Sequence, residues 1–154
     1  MKTLFVAINA KYIHTNLAVR YMHELAKQNG YTSTEIAEYT INQRLPQLLR
    51  ELYLTKANHM IFSCYIWNID IILDLCCQLK QVMPNIKLLL AGPEVSYNST
   101  EVMEQYTFID DFLLTSFILS CYYFTYSAIL PRKKAQVKAF SYLFSISACS
   151  SGLK

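Results

Sequence analysis

Residues 3–25 read TLFVAINAKYIHTNLAVRYMHEL, and the fold is decided within them. Thr3–Ile8 forms a continuous apolar run, the pattern of a strand covered on both faces. Beyond the turn, Leu17, Ala18, Tyr21, Met22 and Leu25 recur at helical spacing, and Asn29-Gly30 stops the helix. The connection between them, Asn9–Asn16 (NAKYIHTN), has no glycine and instead carries a lysine, a tyrosine and a histidine. A plain strand-to-helix turn is built from Gly, Asp, Ser or Asn. Side chains with chemistry in them raise the question of whether this turn faces a ligand.

The same strand-then-helix unit repeats downstream. Thr34–Ile41 is a weaker, more polar strand, as at a sheet edge, and Leu45, Leu48, Leu49, Leu52 and Tyr53 fall on one helical face with Pro46 in the first turn. His59–Tyr65 is a third strand. Ile72, Leu75, Cys76, Leu79 and Met83 form the next helical face, which Pro84 ends. Ile86–Gly92 is a fourth strand, Thr100–Tyr106 a short helix with Glu101 in its first turn, and Thr107–Leu114 a fifth strand. Strands separated by helices require right-handed crossovers, so the class is α/β, a doubly wound parallel sheet of about five strands.

In such a sheet ligands bind beyond the carboxyl ends of the strands, where strand order reverses. Three strand ends are richer in polar and aromatic groups than turning needs: NAKYIHTN, SCYIWN (Ser63–Asn68) and AGPEVSYN (Ala91–Asn98). The candidate contacts are Asn9, Tyr12 and His14; Ser63, Tyr65 and Trp67; and Ala91, Gly92, Pro93 and Glu94. Aromatic faces with few polar groups suit a large, flat, partly apolar ligand, and a bare Gly92 admits close backbone approach. The glycine cradle of a dinucleotide site is missing, as is a P-loop lysine after a glycine-rich turn.

The strings NAKYIHTNLAVRY, EYTIN, FSCYIWNI and LAGPEVSY, in this order and at these distances, resemble the N-terminal cobalamin-binding domain of cobalamin-dependent radical S-adenosylmethionine proteins. The resemblance covers residues 1 to about 111. It implies a Rossmann-like, flavodoxin-type sheet holding a corrinoid, cobalamin, at its C-terminal edge. Related folds carry D-x-H-x-x-G after strand one, with the histidine on cobalt. Here the window is YIHTNL, so His14 is the candidate cobalt ligand, while Tyr12 stands for the aspartate and Leu17 for the glycine. Radical-type relatives commonly bind the corrinoid without a protein histidine. Ser63 matches the serine of the S-x-L element near the nucleotide tail, and Ala91-Gly92 matches the G-G element in part.

Charge divides the chain. Residues 1–111 hold nine Lys/Arg and all eleven Asp/Glu, whereas residues 112–154 hold five Lys/Arg and no acid. Phe112–Leu130 is free of charge and is followed by Pro131 and RKK. It reads as the product of a shifted reading frame, which makes the chain a truncated cofactor domain; the alternative is a weak membrane span on a membrane-attached α/β interaction or sensor domain without cobalamin. Residues 1–111 are therefore expected to be the cofactor domain and 112–154 an atypical apolar and basic tail. The N-terminus lacks a signal-peptide core, which with five unpaired-looking cysteines predicts a cytoplasmic protein with reduced thiols. Asn98–Thr100 (NST) matches a glycosylation acceptor but is expected to open a helix. Cysteine gaps of 12, 1, 44 and 28 do not fit C-x3-C-x2-C, so no iron–sulfur cluster and no independent catalysis are expected. No nucleic-acid partner is expected.

Overall fold

The computed structural model describes residues 1–96 and 104–113. Five parallel strands, β1 (Thr3–Asn9), β2 (Thr34–Thr40), β3 (His59–Ser63), β4 (Lys87–Ala91) and β5 (Asp111–Leu113), lie in the order β2-β1-β3-β4-β5. This is the flavodoxin-like order. Helices α1 (Leu17–Gln28), α2 (Leu45–Leu54), α3 (Ile69–Val82) and the single turn α4 (Pro93–Ser96) make the connections.

Alternation along β1 sorts the core into two layers. Phe5 and Ala7 point to one face, with Val19, Met22 and Ala26 of α1, while Leu4, Val6 and Ile8 point to the other, with Leu48 and Leu52 of α2 and Ile72, Leu75, Cys76 and Leu79 of α3. Every residue of β1 is buried, as its unbroken apolar run requires, and the partly exposed β2 is an edge strand. The α3 face is the expected one.

Three expectations are corrected. The α1 stripe is Val19, Met22 and Ala26, not one beginning at Leu17, which is 76% exposed. At about 100° per residue Leu17 falls on the side of the helix opposite Val19, Met22 and Ala26, so it faces away from the sheet even though Val19 in the same turn is buried. On α2 Leu48 and Leu52 are buried and Leu45 and Leu49 pack against the core as expected, but Tyr53 is half-exposed near the helix end. The fifth strand starts at Asp111 rather than Thr107, because Thr107 and Phe108 form a turn and Asp110 is engaged elsewhere. Its carboxylate accepts Lys80 Nζ at 2.7 Å, Lys87 Nζ at 3.0 Å and the Leu88 N–H at 2.8 Å, fastening β5 to β4 and α3. Residues 100–103 of the expected short helix, the Asn98–Thr100 acceptor and the tail beyond 113 lie outside the described residues. Among the described residues no helix is long and apolar enough to cross a membrane.

Candidate functional site

Strand order reverses between β1 and β3, so the crevice opens over their carboxyl ends. Ala7, Ser63 and Ala91 are aligned across β1, β3 and β4, and Asn9 stands two residues further out. The β1–α1, β3–α3 and β4–α4 turns therefore meet at one edge, as the three sequence stretches require.

The ten expected contacts separate into a floor and a rim. Asn9, Ser63, Ala91 and Gly92 are buried, whereas Tyr12, His14, Trp67, Pro93 and Glu94 are exposed and Tyr65 is half-buried. Around the rim Tyr12 is 90% exposed, Ile13 83%, Leu17 76% and Ile66 77%, a concentration of apolar area that a folded chain ordinarily covers. Tyr65 and Trp67 stack with ring centroids 4.5 Å apart and planes 6° from parallel, a flat aromatic wall.

The floor is held by asparagines. Asn68, 1% exposed, donates from Nδ2 to the Ile8 carbonyl at 2.9 Å and the Ser63 carbonyl at 3.0 Å, and its Oδ1 accepts the Tyr65 N–H at 2.7 Å. It thus ties β1 to the β3–α3 turn. Asn16 caps α1 by accepting the Val19 N–H, and its Nδ2 donates to Ser63 Oγ at 3.2 Å. Asn9 Nδ2 donates to the His14 carbonyl at 2.9 Å, drawing the loop back over the strand end. Neither Asn16 nor Asn68 was expected at the site. The signal was in the sequence, an asparagine directly before each helical pattern.

Gly92 has φ +123°, and a Cβ built there would lie 2.2 Å from the Cys64 carbonyl oxygen and 2.9 Å from the Cys64 nitrogen. The bare position expected to admit a ligand is filled by the neighbouring backbone. Glycine is required there by the close approach of the β3 and β4 ends, sealed by Cys64 N–H to Ala91 O at 2.6 Å. Burial pushes the Cys64 thiol up to about 12, so it is no nucleophile at neutral pH.

The His14 ring makes no hydrogen bond to a described residue. Glu38 on β2, the carboxylate that bonds to this loop, is engaged by Thr15, Asn16 and Arg20. A metal-ligating histidine ordinarily donates its second ring nitrogen to a carboxylate or carbonyl. His23, by contrast, is fixed to the Thr34 carbonyl at 3.1 Å and meets the edge of Phe5, a packing role. No group of three or more His, Cys, Asp or Glu among the described residues is arranged to hold a metal ion by itself.

A flavodoxin-like domain whose strand order reverses between β1 and β3 is a class shared by many proteins. Solved structures with this fold include a cobalamin-binding protein from Desulfitobacterium hafniense DCB-2 (TM-score 0.52, 11% identity, 79% of this chain and 58% of that one). They also include a CheY-like protein from Pseudomonas aeruginosa PAO1 (TM-score 0.51, 16% identity, 75% and 88%). A third is a pilus assembly-related protein from Burkholderia pseudomallei K96243 (TM-score 0.50, 16% identity, 74% and 78%). This chain spans a little over half the length of the first. None of the curated proteins matches it. Residues 3–115 match the family described as the B12 binding domain, and the chain belongs to that family.

Proposed function

We propose that the chain is a cobalamin-binding module whose cofactor lies across the C-terminal edge of the sheet. Beyond family membership, the supporting observation is the exposed apolar rim. Tyr12, Ile13, Leu17, Ile66 and Trp67 surround a crevice floored by Asn9, Ser63, Ala91 and Gly92, and a corrinoid is large, flat and apolar enough to cover them. Bound cobalamin supplies cobalt-centred group-transfer chemistry. The protein's own part is to bind and orient it: the rim gives contact area, the Tyr65–Trp67 wall gives a flat face, and Pro93 and Glu94 border the β4 side. On this reading His14 contacts the cofactor through its ring rather than ligating cobalt, since the loop itself holds no carboxylate to support a ligating ring and Glu38 on β2 is engaged by Thr15, Asn16 and Arg20.

The finer assignment is that this module serves a cobalamin-dependent radical S-adenosylmethionine enzyme. The four strings quoted above support it, and the loss of every acid after residue 111 supports a shifted frame in residues 112–154. Sequencing the gene and translating all frames tests that point; another frame continuing into C-x3-C-x2-C is the expected result, and an intact present frame overturns it.

Cobalamin binding is tested by titrating the full chain with hydroxocobalamin and recording the visible spectrum alongside His14→Ala. Both proteins are expected to retain the cofactor with the same spectrum. A spectral change in the wild type that His14→Ala abolishes assigns cobalt ligation to His14; a folded wild type that retains no cofactor overturns the proposal.

A further inference from the structure

Helix α1 has no acidic residue in its first turn, and Val19 sits where a capping box carries Glu or Gln. The missing partner comes from β2. Glu38 Oε1 accepts the Asn16 N–H at 2.7 Å and the Thr15 hydroxyl at 2.8 Å, and Oε2 accepts Arg20 at 2.6 Å. Arg20 Nε in turn donates to Thr15 Oγ1 at 2.5 Å. With Asn16 Oδ1 accepting the Val19 N–H, the reciprocal bonds of a capping box are complete, one half of them supplied from 22 residues away. Burial raises the Glu38 pKa, but the bonds from Asn16, Thr15 and Arg20 outweigh it and hold the carboxyl below its usual value. Asn16 also reaches Ser63, so Glu38 is linked through one residue to the crevice floor.

From this geometry we infer that Glu38 is the positioning residue of the cofactor loop: its carboxylate fixes NAKYIHTN in the conformation that receives the corrinoid. The inference rests on the cobalamin reading. Glu38 acts through Thr15 and Asn16 on the rim residues Tyr12 and His14. Every residue of the loop tip, Lys11–Thr15, is exposed, and among the described residues its only anchors outside the Glu38–Thr15–Arg20 network are Asn9 Nδ2 to the His14 carbonyl and the His14 N–H to the Lys11 carbonyl. Without Glu38 the Asn16 N–H loses its partner and the loop populates other conformations. A ligand that needs one conformation then binds more weakly in proportion to the fraction lost.

The test uses the full chain and three variants. Glu38→Ala removes the acceptor, Glu38→Gln keeps an oxygen for Asn16 and Thr15 without the charge, and Glu35→Ala is a control on the same strand, breaking only the Lys2 pair at its other end. Amide hydrogen exchange is read without ligand, and hydroxocobalamin affinity by titration. Glu38→Ala is expected to speed exchange at Asn16 and Val19 by about tenfold, the size of a lost helix cap, and to weaken binding by about fivefold or more. Glu38→Gln recovers most of both, and Glu35→Ala matches wild type. Unchanged exchange in Glu38→Ala overturns the inference, as does faster exchange with wild-type affinity or an equal loss in Glu35→Ala. A wild-type chain that does not bind hydroxocobalamin overturns the cobalamin reading instead, and the exchange measurement still decides whether Glu38 fixes the loop.

Discussion

Gly92 shows how a residue chosen for one reason turns out to matter for another. Its missing side chain was read as room for a ligand, yet the room is occupied by the Cys64 carbonyl, and the positive φ adds strain for any other residue. Gly92→Ala must displace backbone on both strand ends, so a loss of at least about 2 kcal/mol of stability is expected in urea unfolding. Such a loss would appear with or without cofactor. Asn68 is the second single-residue test. Truncation to Ala leaves the Tyr65 N–H and the Ile8 and Ser63 carbonyls short of a partner in a buried site, and should cost about 2–3 kcal/mol. Replacement of exposed Tyr12 by Ala should leave stability unchanged and weaken only cofactor binding.

Among the elements, β3 carries an acid-sensitive group at the opposite end from the crevice. His59 begins the strand, and its Nδ1 is buried with no hydrogen-bond partner among the described residues. Burial lowers its pKa below 6.5; Lys87 and the terminal amine lower it further, while Asp110 works in the other direction. The folded chain therefore binds fewer protons than the unfolded one at and below the ordinary histidine range. Unfolding free energy is full above pH 6.5 and falls as pH drops through it toward the folded value. Denaturation at pH 8 and pH 5.5 should show this step, and His59→Phe should remove it. Glu38 and Asp110, both lowered, add a separate loss only below the carboxylate values of 4.5 and 3.8. Elements differed in how openly their sequences announced them. The strand β1 and helix α3 were plain, because buried runs and a full apolar stripe leave one reading. The start of α1 was not, since Leu17 looks apolar enough for the core yet lies on the helix face opposite Val19, Met22 and Ala26.

At the scale of the whole molecule, the parallel sheet and the meeting of three strand-end turns were legible because crossovers and hydrophobic runs constrain topology strongly. What was not legible lies in bonds between distant segments: Glu38 closing a cap on α1, Asn68 tying β1 to the β3–α3 turn, Asp110 joining β5 to α3. Spacing within a segment carries no trace of such pairings, which arise only when the fold brings the segments together. The resulting molecule has a buried floor tied together by asparagine hydrogen bonds under an exposed apolar rim, the combination on which the cobalamin reading depends. Trp67, the chain's single tryptophan, stands in that rim at 47% exposure. The decisive measurement is a titration of the folded chain with hydroxocobalamin, following Trp67 emission and cofactor retention on gel filtration together. The account predicts saturable one-to-one quenching with co-elution of the coloured cofactor; unquenched emission from a folded chain that elutes colourless would contradict it.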